Sequence, residues 1–250
     1  MKPLALVLWA AGSLAVLACR GRRDLVAVEA LGMTARTRRY VMTKWLFFDV
    51  GSTLIDESLA FKAFMGKWRV SLARYGRVLT EEELLSIINE LVTSGVCDFN
   101  RLWQRLAPKG CQRPKWSHQL ERLFADTKPC LQVLSKTYQL GIIANQAKDL
   151  KERLERFGLS HYFALIVSSS DVGLQKPDLA LFRYALDQAG VLARDAVYIG
   201  DRVDNDIIPA KTLGMTAIRI HQGLAASSPD DRLYPSDVHI SKLSDLLEYF

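Results

Sequence analysis

The chain has 250 residues, 49% of them hydrophobic and 24% charged. That is an ordinary globular balance, with room for one large domain or for a domain carrying a smaller insert. The net charge of +6 does not indicate a nucleic-acid surface: residues 1–41 hold seven basic side chains against two acidic ones, which leaves residues 42–250 at only +1.

Residues 4–18 form an apolar run preceded by Lys2, similar to the central region of a signal peptide. Val16-Leu17-Ala18-Cys19 looks like an imperfect lipoprotein cleavage site, with Leu17 bulkier than that pattern usually has. Arg20, Arg22 and Arg23 follow directly, and positive charge resists translocation there. The run is also short for a membrane span. The favoured expectation is that Met42 is the real start, that residues 1–41 lie outside the fold, and that the protein is cytoplasmic. Membrane anchoring or export is the alternative, should residues 1–20 be a genuine anchor or signal.

Trp45-Leu46-Phe47-Phe48 is an apolar run short enough for a buried strand. Asp49 falls where it stops, and Val50-Gly51-Ser52 then breaks the path. At the carboxyl end of a parallel strand, ligands bind. A carboxylate there can attack an electrophile, coordinate a metal or cap the next helix.

Phe61, Phe64, Trp68, Leu72 and Tyr75 recur at three- and four-residue steps and predict a helix with one apolar face, stopped at Gly76. Thr80 and Glu83 form a capping box that opens a second helix through Leu91. Shorter amphipathic pieces follow at residues 102–106 and 120–124. Residues 57–127 thus read as helices with no strand, an insertion at the mouth of a site. Beyond them, helices at 131–138, 148–157 and 177–188 alternate with strands at 140–144, 163–167 and 196–199. A further helix ends near Gly214, before a strand at 216–220. Pro177 is expected in the first turn of its helix. This alternation predicts an α/β protein, with a Rossmann-like parallel sheet, helices on both faces and an inserted all-helical cap domain. The expected domains are a leader at 1–41, a core at 42–56 with 128–250, and a cap at 57–127.

Cys19, Cys97, Cys111 and Cys130 show no zinc-site spacing and read as reduced, mostly buried thiols. The strand ends carry the chemistry. Asp49, Ala144-Asn145, Lys176, and Asp201 with Asp204 and Asp206 all fall on the side of the sheet where ligands bind. Acids, a lysine and strand-end amides suit an anionic substrate together with a hard cation such as Mg²⁺.

Here residues 44–250 resemble the haloacid dehalogenase superfamily of aspartyl-nucleophile hydrolases. Phe-Phe-Asp49-Val-Gly-Ser-Thr53-Leu is similar to its first motif, Asp-x-Asp-x-Thr, except at the second Asp. Leu-Gly-Ile-Ile-Ala144-Asn145 stands at its second, a strand ending in Ser or Thr. Gly-Leu-Gln-Lys176-Pro-Asp is similar to its third, and Gly-Asp201-Arg-Val-Asp-Asn-Asp206 to its fourth, an acidic pair. The order is that of the family. The resemblance implies that Asp49 is the nucleophile and carries a covalent phosphoryl group. It implies that Asp49, Asp201, Asp206 and the Gly51 carbonyl hold Mg²⁺, with Asp204 a solvated neighbour or helix cap. Lys176 would balance charge between nucleophile and phosphate, Asn145 would contact phosphate, and Thr53 would steady the loop at the substrate. The partner implied is a small phosphorylated metabolite.

Two departures matter. Gly51 replaces the family's general acid–base Asp, a function worth about 10²–10⁴-fold in rate. Ala144 replaces a phosphate-binding hydroxyl worth about 1.5–3 kcal/mol. Three function classes stay open. The first is a Mg²⁺-dependent phosphatase, slow if the missing acid limits it. The second is C–halogen or C–P cleavage; the acidic fourth motif argues against dehalogenation, and Lys62 and Lys67 are the nearest candidates for the imine that C–P cleavage requires. The third is a binding domain that keeps the fold without turnover. Arg101, Trp103 and Arg105 are candidate substrate contacts on the cap, against the usual reading of a solvated helix face.

Overall fold

The computed structural model describes residues 5–10, 13–18, 44–95 and 98–250. It separates into two units, residues 1–42 and 43–250. In the first, strands β1 (Ala5–Ala10) and β2 (Ser13–Ala18) pair antiparallel, with Ala5 opposite Ala18. Cys19, Arg20, Arg22, Arg23, Met42 and Cys97 lie outside the described residues. Among the described residues no helix is long and apolar enough to cross a membrane.

The second unit is built on a six-stranded sheet in which every pairing is parallel. Its strands are β3 (Trp45–Phe48), β6 (Gln139–Ala144), β7 (Phe163–Ser168), β8 (Ala196–Gly200), β9 (Thr216–Ile220) and β10 (Val238–Ile240). The remaining two, β4 (Ile55–Asp56) and β5 (Arg122–Leu123), form a separate antiparallel pair. The large sheet has the order β10-β9-β8-β3-β6-β7. The chain therefore starts at the centre, grows outward through β6 and β7, then returns beside β3 with β8 and grows the other way. β3 lies at the reversal of strand order, where open α/β sheets form their ligand crevice. Leu46, Phe47 and Phe48 are wholly buried, as a strand covered on both faces requires.

Between β4 and β5 run three helices, α1 (Ser58–Ala73), α2 (Glu81–Thr93) and α3 (Phe99–Leu106). The predicted capping box is present: Thr80 Oγ1 accepts from the Glu83 N–H at 3.1 Å, and the Thr80 N–H donates to Glu83 Oε2 at 2.7 Å. The apolar faces meet in one cluster, where Phe64, Trp68 and Leu72 pack against Leu84, Ile88, Leu102 and Trp103. Tyr75 is not part of this face. α1 ends at Ala73, so Tyr75 leaves the helical register and stands exposed.

Two further expectations fail locally. The piece at 120–124 is not helical: a single turn at His118–Leu120 leads into β5, which pairs with β4. Its apolar spacing is too short to settle its period, and the partner strand decides it. Pro177 precedes its helix rather than opening it. The Lys176–Pro177 bond is cis, Asp178 caps with its carboxylate on the Ala180 N–H, and α7 spans Leu179–Ala189. α4 (Thr127–Leu134), α5 (Leu150–Arg156), α6 (Ser169–Val172) and α8 (Ile208–Thr212) complete the helices.

Trp68 is the centre of the helical cluster, with the Trp103 ring centroid 4.8 Å away and the Phe64 centroid 5.7 Å away. Trp68→Ala is expected to cost about 3–5 kcal/mol of stability. Urea unfolding measures this. A loss below about 1 kcal/mol would mean that the helices do not share this core.

Candidate active site

The carboxyl ends of β3, β6 and β8 open into a cleft of about 600 Å³, ordinary for a small-molecule site. Asp49 leaves the end of β3 and Asp201 the end of β8. Asp206 comes from the irregular turn that precedes α8. Gly200 lets it approach: a Cβ at residue 200 would stand 2.6 Å from the Asp206 carboxyl. Among the described residues, these three form the one group of acids whose oxygens can all lie within 4.8 Å of one another. All three are buried.

Lys176 reaches into this group from the loop before α7. Its Nζ donates to Asp49 Oδ1 at 2.5 Å, to Asp206 Oδ1 at 2.6 Å and to the Tyr198 hydroxyl at 3.0 Å. All three ammonium protons are used. The Tyr198 hydroxyl in turn donates to the Ile143 carbonyl at 2.8 Å. Three carboxylates against one ammonium leave uncompensated negative charge in a dry place. Burial pushes the Asp49 carboxyl up to about 6, partly opposed by Lys176. Burial, with Asp206 and Asp49 as charged neighbours, pushes Asp201 up as well. A donor set of hard oxygens short of positive charge fits a divalent cation.

The residues expected from sequence divide clearly. Asp49, Gly51, Asn145, Lys176, Asp201 and Asp206 all line the cleft. Asn145 does so with its amide already engaged: Nδ2 donates to the Lys176 carbonyl at 2.9 Å and Oδ1 accepts from the Lys176 N–H at 2.7 Å. Its side chain clamps the lysine loop, which leaves its backbone for a substrate. Thr53 does not reach the cleft. It is wholly buried, with no hydrogen-bond partner on its hydroxyl. Asp204 forms a bidentate pair with Arg202, at 3.0 and 2.6 Å. Lys62 and Lys67 are exposed and do not line the cleft. Arg101, Trp103 and Arg105 do not line it either; from the helical segment Phe61, Phe64, Asn100, Arg113 and Trp116 do.

Sequence reasoning missed Tyr198, a lone polar tip in an otherwise apolar buried strand, which needs a partner. It also missed a wall built on Glu121. Glu121 Oε2 accepts from Arg153 Nη2 at 2.8 Å, and Oε1 accepts from Trp116 Nε1 at 3.1 Å and lies 2.5 Å from His118 Nδ1. Arg153 also donates to Gln146 at 2.7 Å. The wall-lining Trp116, His118 and Gln146 are thus held by one buried ion pair.

Glu57 was missed as well. It lines the cleft, and burial pushes its carboxyl up to about 8, with Glu121 and Asp49 adding to the effect and Arg153 opposing it. In the unfolded chain it loses its proton near 4.5, so this group costs the fold nothing below that pH and destabilises it increasingly as pH climbs from 4.5 to 8. Glu57→Gln is expected to raise the melting temperature of the metal-free protein near pH 8, by about 2–4 °C for each kcal/mol recovered. The gain should shrink toward pH 5. A gain independent of pH would show that charge is not the cause.

A sequence model of the family described as haloacid dehalogenase-like hydrolase matches residues 46–220. The chain belongs to the haloacid dehalogenase-like hydrolase family, and it is a hydrolase enzyme. It is 30% identical over 222 residues to a glyceraldehyde 3-phosphate phosphatase of Methanocaldococcus jannaschii, an alignment covering 83% of this chain and 96% of that protein. It is 30% identical over 208 residues to the protein of the same name from Methanothermobacter thermautotrophicus, covering 76% and 90%. Its fold matches the crystal structure of a haloacid dehalogenase-type phosphatase from Thermococcus onnurineus, with TM-score 0.61, 25% identity and coverage of 82% and 97%. It also matches a 2-haloacid dehalogenase from Pseudomonas syringae, with TM-score 0.55, 30% identity and coverage of 83% and 97%.

Proposed function

We propose that this chain is a Mg²⁺-dependent phosphatase acting on a small phosphorylated metabolite, with Asp49 as the nucleophile. The observation that carries the reading is the buried cluster of Asp49, Asp201 and Asp206 bridged by Lys176 at the floor of the cleft. An Asp49 oxygen attacks phosphorus, and the ester oxygen departs. Lys176 holds Asp49 in place and supplies positive charge beside the transferring group. Asp49, Asp201, Asp206 and the Gly51 carbonyl are the residues that would hold Mg²⁺. When bound, the ion supplies charge neutralisation at the phosphoryl oxygens. The backbone N–H of Asn145 is the contact left for phosphate where Ala144 lacks a hydroxyl. Thr53 supports the loop from beneath and does not touch substrate.

The curated relatives are named for glyceraldehyde 3-phosphate, which makes small phosphorylated sugars and acids the first substrates to try. Residues 57–127 serve as the cap over this site. We place the protein in the cytoplasm, where thiols such as Cys111 and Cys130 stay reduced. The likeness to a 2-haloacid dehalogenase keeps C–halogen cleavage as the second reading. The acid cluster weighs against it, because carbon–halogen displacement by an aspartate calls for no cation.

The test is hydrolysis of a phosphate-ester panel by residues 42–250 with Mg²⁺, with EDTA, and by Asp49→Asn. Loss of the nucleophile or of the metal should each lower turnover roughly a thousandfold or more. Turnover that survives Asp49→Asn unchanged would end the aspartyl-nucleophile reading. Halide release from a haloacid in EDTA would move the chain to the second.

A further inference from the structure

We infer that Glu57 is the proton donor and acceptor of this site, replacing the side chain that residue 51 lacks. The inference rests on the aspartyl-phosphatase reading above. Gly51 is not simply a turn residue beside an empty space. A Cβ built on it would lie 2.4 Å from Glu57 Oε2, 2.8 Å from Cδ and 2.9 Å from Oε1. An aspartate's own carboxyl oxygens lie roughly 2.4 Å from its Cβ. The Glu57 carboxyl therefore stands within the reach of an acid attached at residue 51, and the glycine makes room for it.

The structural uses of a glutamate at this position are absent. Glu57 occupies the N-cap position of α1, yet its side chain makes no capping hydrogen bond. Among the described residues no group hydrogen-bonds or ion-pairs with its carboxyl, although it lines the same cleft as Asp49, Lys176 and Asp201. The other acids of the site have uses of their own, Asp49 and Asp201 as members of the proposed Mg²⁺ set together with Asp206. Asp206 holds Lys176 and the Arg202 N–H, and Glu121 holds Arg153, Trp116 and His118. Outside the proposed Mg²⁺ set, Glu57 is the cleft-lining carboxyl that keeps both oxygens for a substrate or a water.

The two steps balance with this one group. An Asp49 oxygen bonds to phosphorus while the ester P–O bond breaks. The electron pair leaves on the alkoxide oxygen, which takes the proton of the Glu57 carboxyl and departs as the alcohol. Glu57, now a carboxylate, removes a proton from water as that water attacks the phosphorus. The bond from phosphorus to Asp49 breaks with its electron pair returning to the Asp49 carboxylate. Inorganic phosphate leaves, and Glu57 is again protonated.

The test compares an alkyl phosphate, whose leaving oxygen needs a proton, with p-nitrophenyl phosphate, whose leaving oxygen does not. Both are run with wild type, Glu57→Gln, Glu57→Ala, Gly51→Asp and the double variant Gly51→Asp/Glu57→Ala, in Mg²⁺, with melting temperatures alongside. Glu57→Gln should lose about 10²–10⁴-fold in steady-state turnover of the alkyl ester. On the aryl ester it should still release a burst of one nitrophenolate per enzyme, then stall with Asp49 phosphorylated. Gly51→Asp alone should fall below wild type, because its Cβ meets Glu57. The double variant should recover at least tenfold over Glu57→Ala. Undiminished alkyl-ester turnover by Glu57→Gln overturns the assignment. So does an equal loss on both esters without a burst, in a variant that melts normally, since that is the mark of a positioning residue. A wild type that is inactive on both esters, or one whose activity survives Asp49→Asn, defeats the phosphatase reading itself and this assignment with it.

Discussion

The Lys176 ammonium is the contact on which the rest of this site depends. It arrives from a loop on the β7 side of the sheet and joins Asp49, just past the end of β3, to Asp206 beyond β8. Three separate parts of the chain are therefore pinned at one point. A charge this deeply placed is costly unless paired, and removing one partner of such a pair costs about 3–5 kcal/mol. The surroundings are built to keep the pairing. Tyr198 takes the third ammonium proton and hands its own to the Ile143 carbonyl. Asn145 grips the Lys176 backbone from both sides. The cluster still carries an excess of negative charge, and that excess suits it to a cation.

A second ion pair shapes the cleft from the side. Arg153 on α5 and Glu121 beside β5 are both wholly buried. Through Trp116, His118 and Gln146 they hold part of the cleft wall. β4 and β5 pair at the point where the chain leaves for the three helices and returns from them. Glu57 sits just past that point, between the floor and the wall. Its carboxyl feels Glu121 and Arg153 on one side and Asp49 on the other. The same residue thus belongs to the connection and to the chemistry.

Much of this was readable in the chain. Continuous apolar runs marked the buried parallel strands, and an acid, an amide or a lysine at each boundary marked the ligand side. Asp49, Lys176, Asp201 and Asp206 came from that pattern, and the structure brings them within contact of one another or of the same cleft. What spacing did not carry was the use of each polar group. Asn145 presented itself as a phosphate ligand, yet its amide is taken up by the Lys176 loop. Thr53 stood in a motif position, yet its side chain points away from the cleft. Residues 120–124 had the spacing of a helix and became a strand, because their partner is β4, more than sixty residues earlier.

By itself the sequence determined the α/β class, five of the six parallel strands as buried runs, and the family to which the chain belongs; the edge strand β10 carried no such mark. Those follow from local periodicity and from the order of residues at strand ends, both of which are properties of a line. Only the tertiary structure decided what fills the space over Gly51. The absence of a side chain is visible in a sequence, but the carboxyl that occupies the vacated volume comes from another element. Which group that is depends on how β4 and the first turn of α1 fold back over the end of β3, and distances across that fold are not encoded in any spacing along the chain.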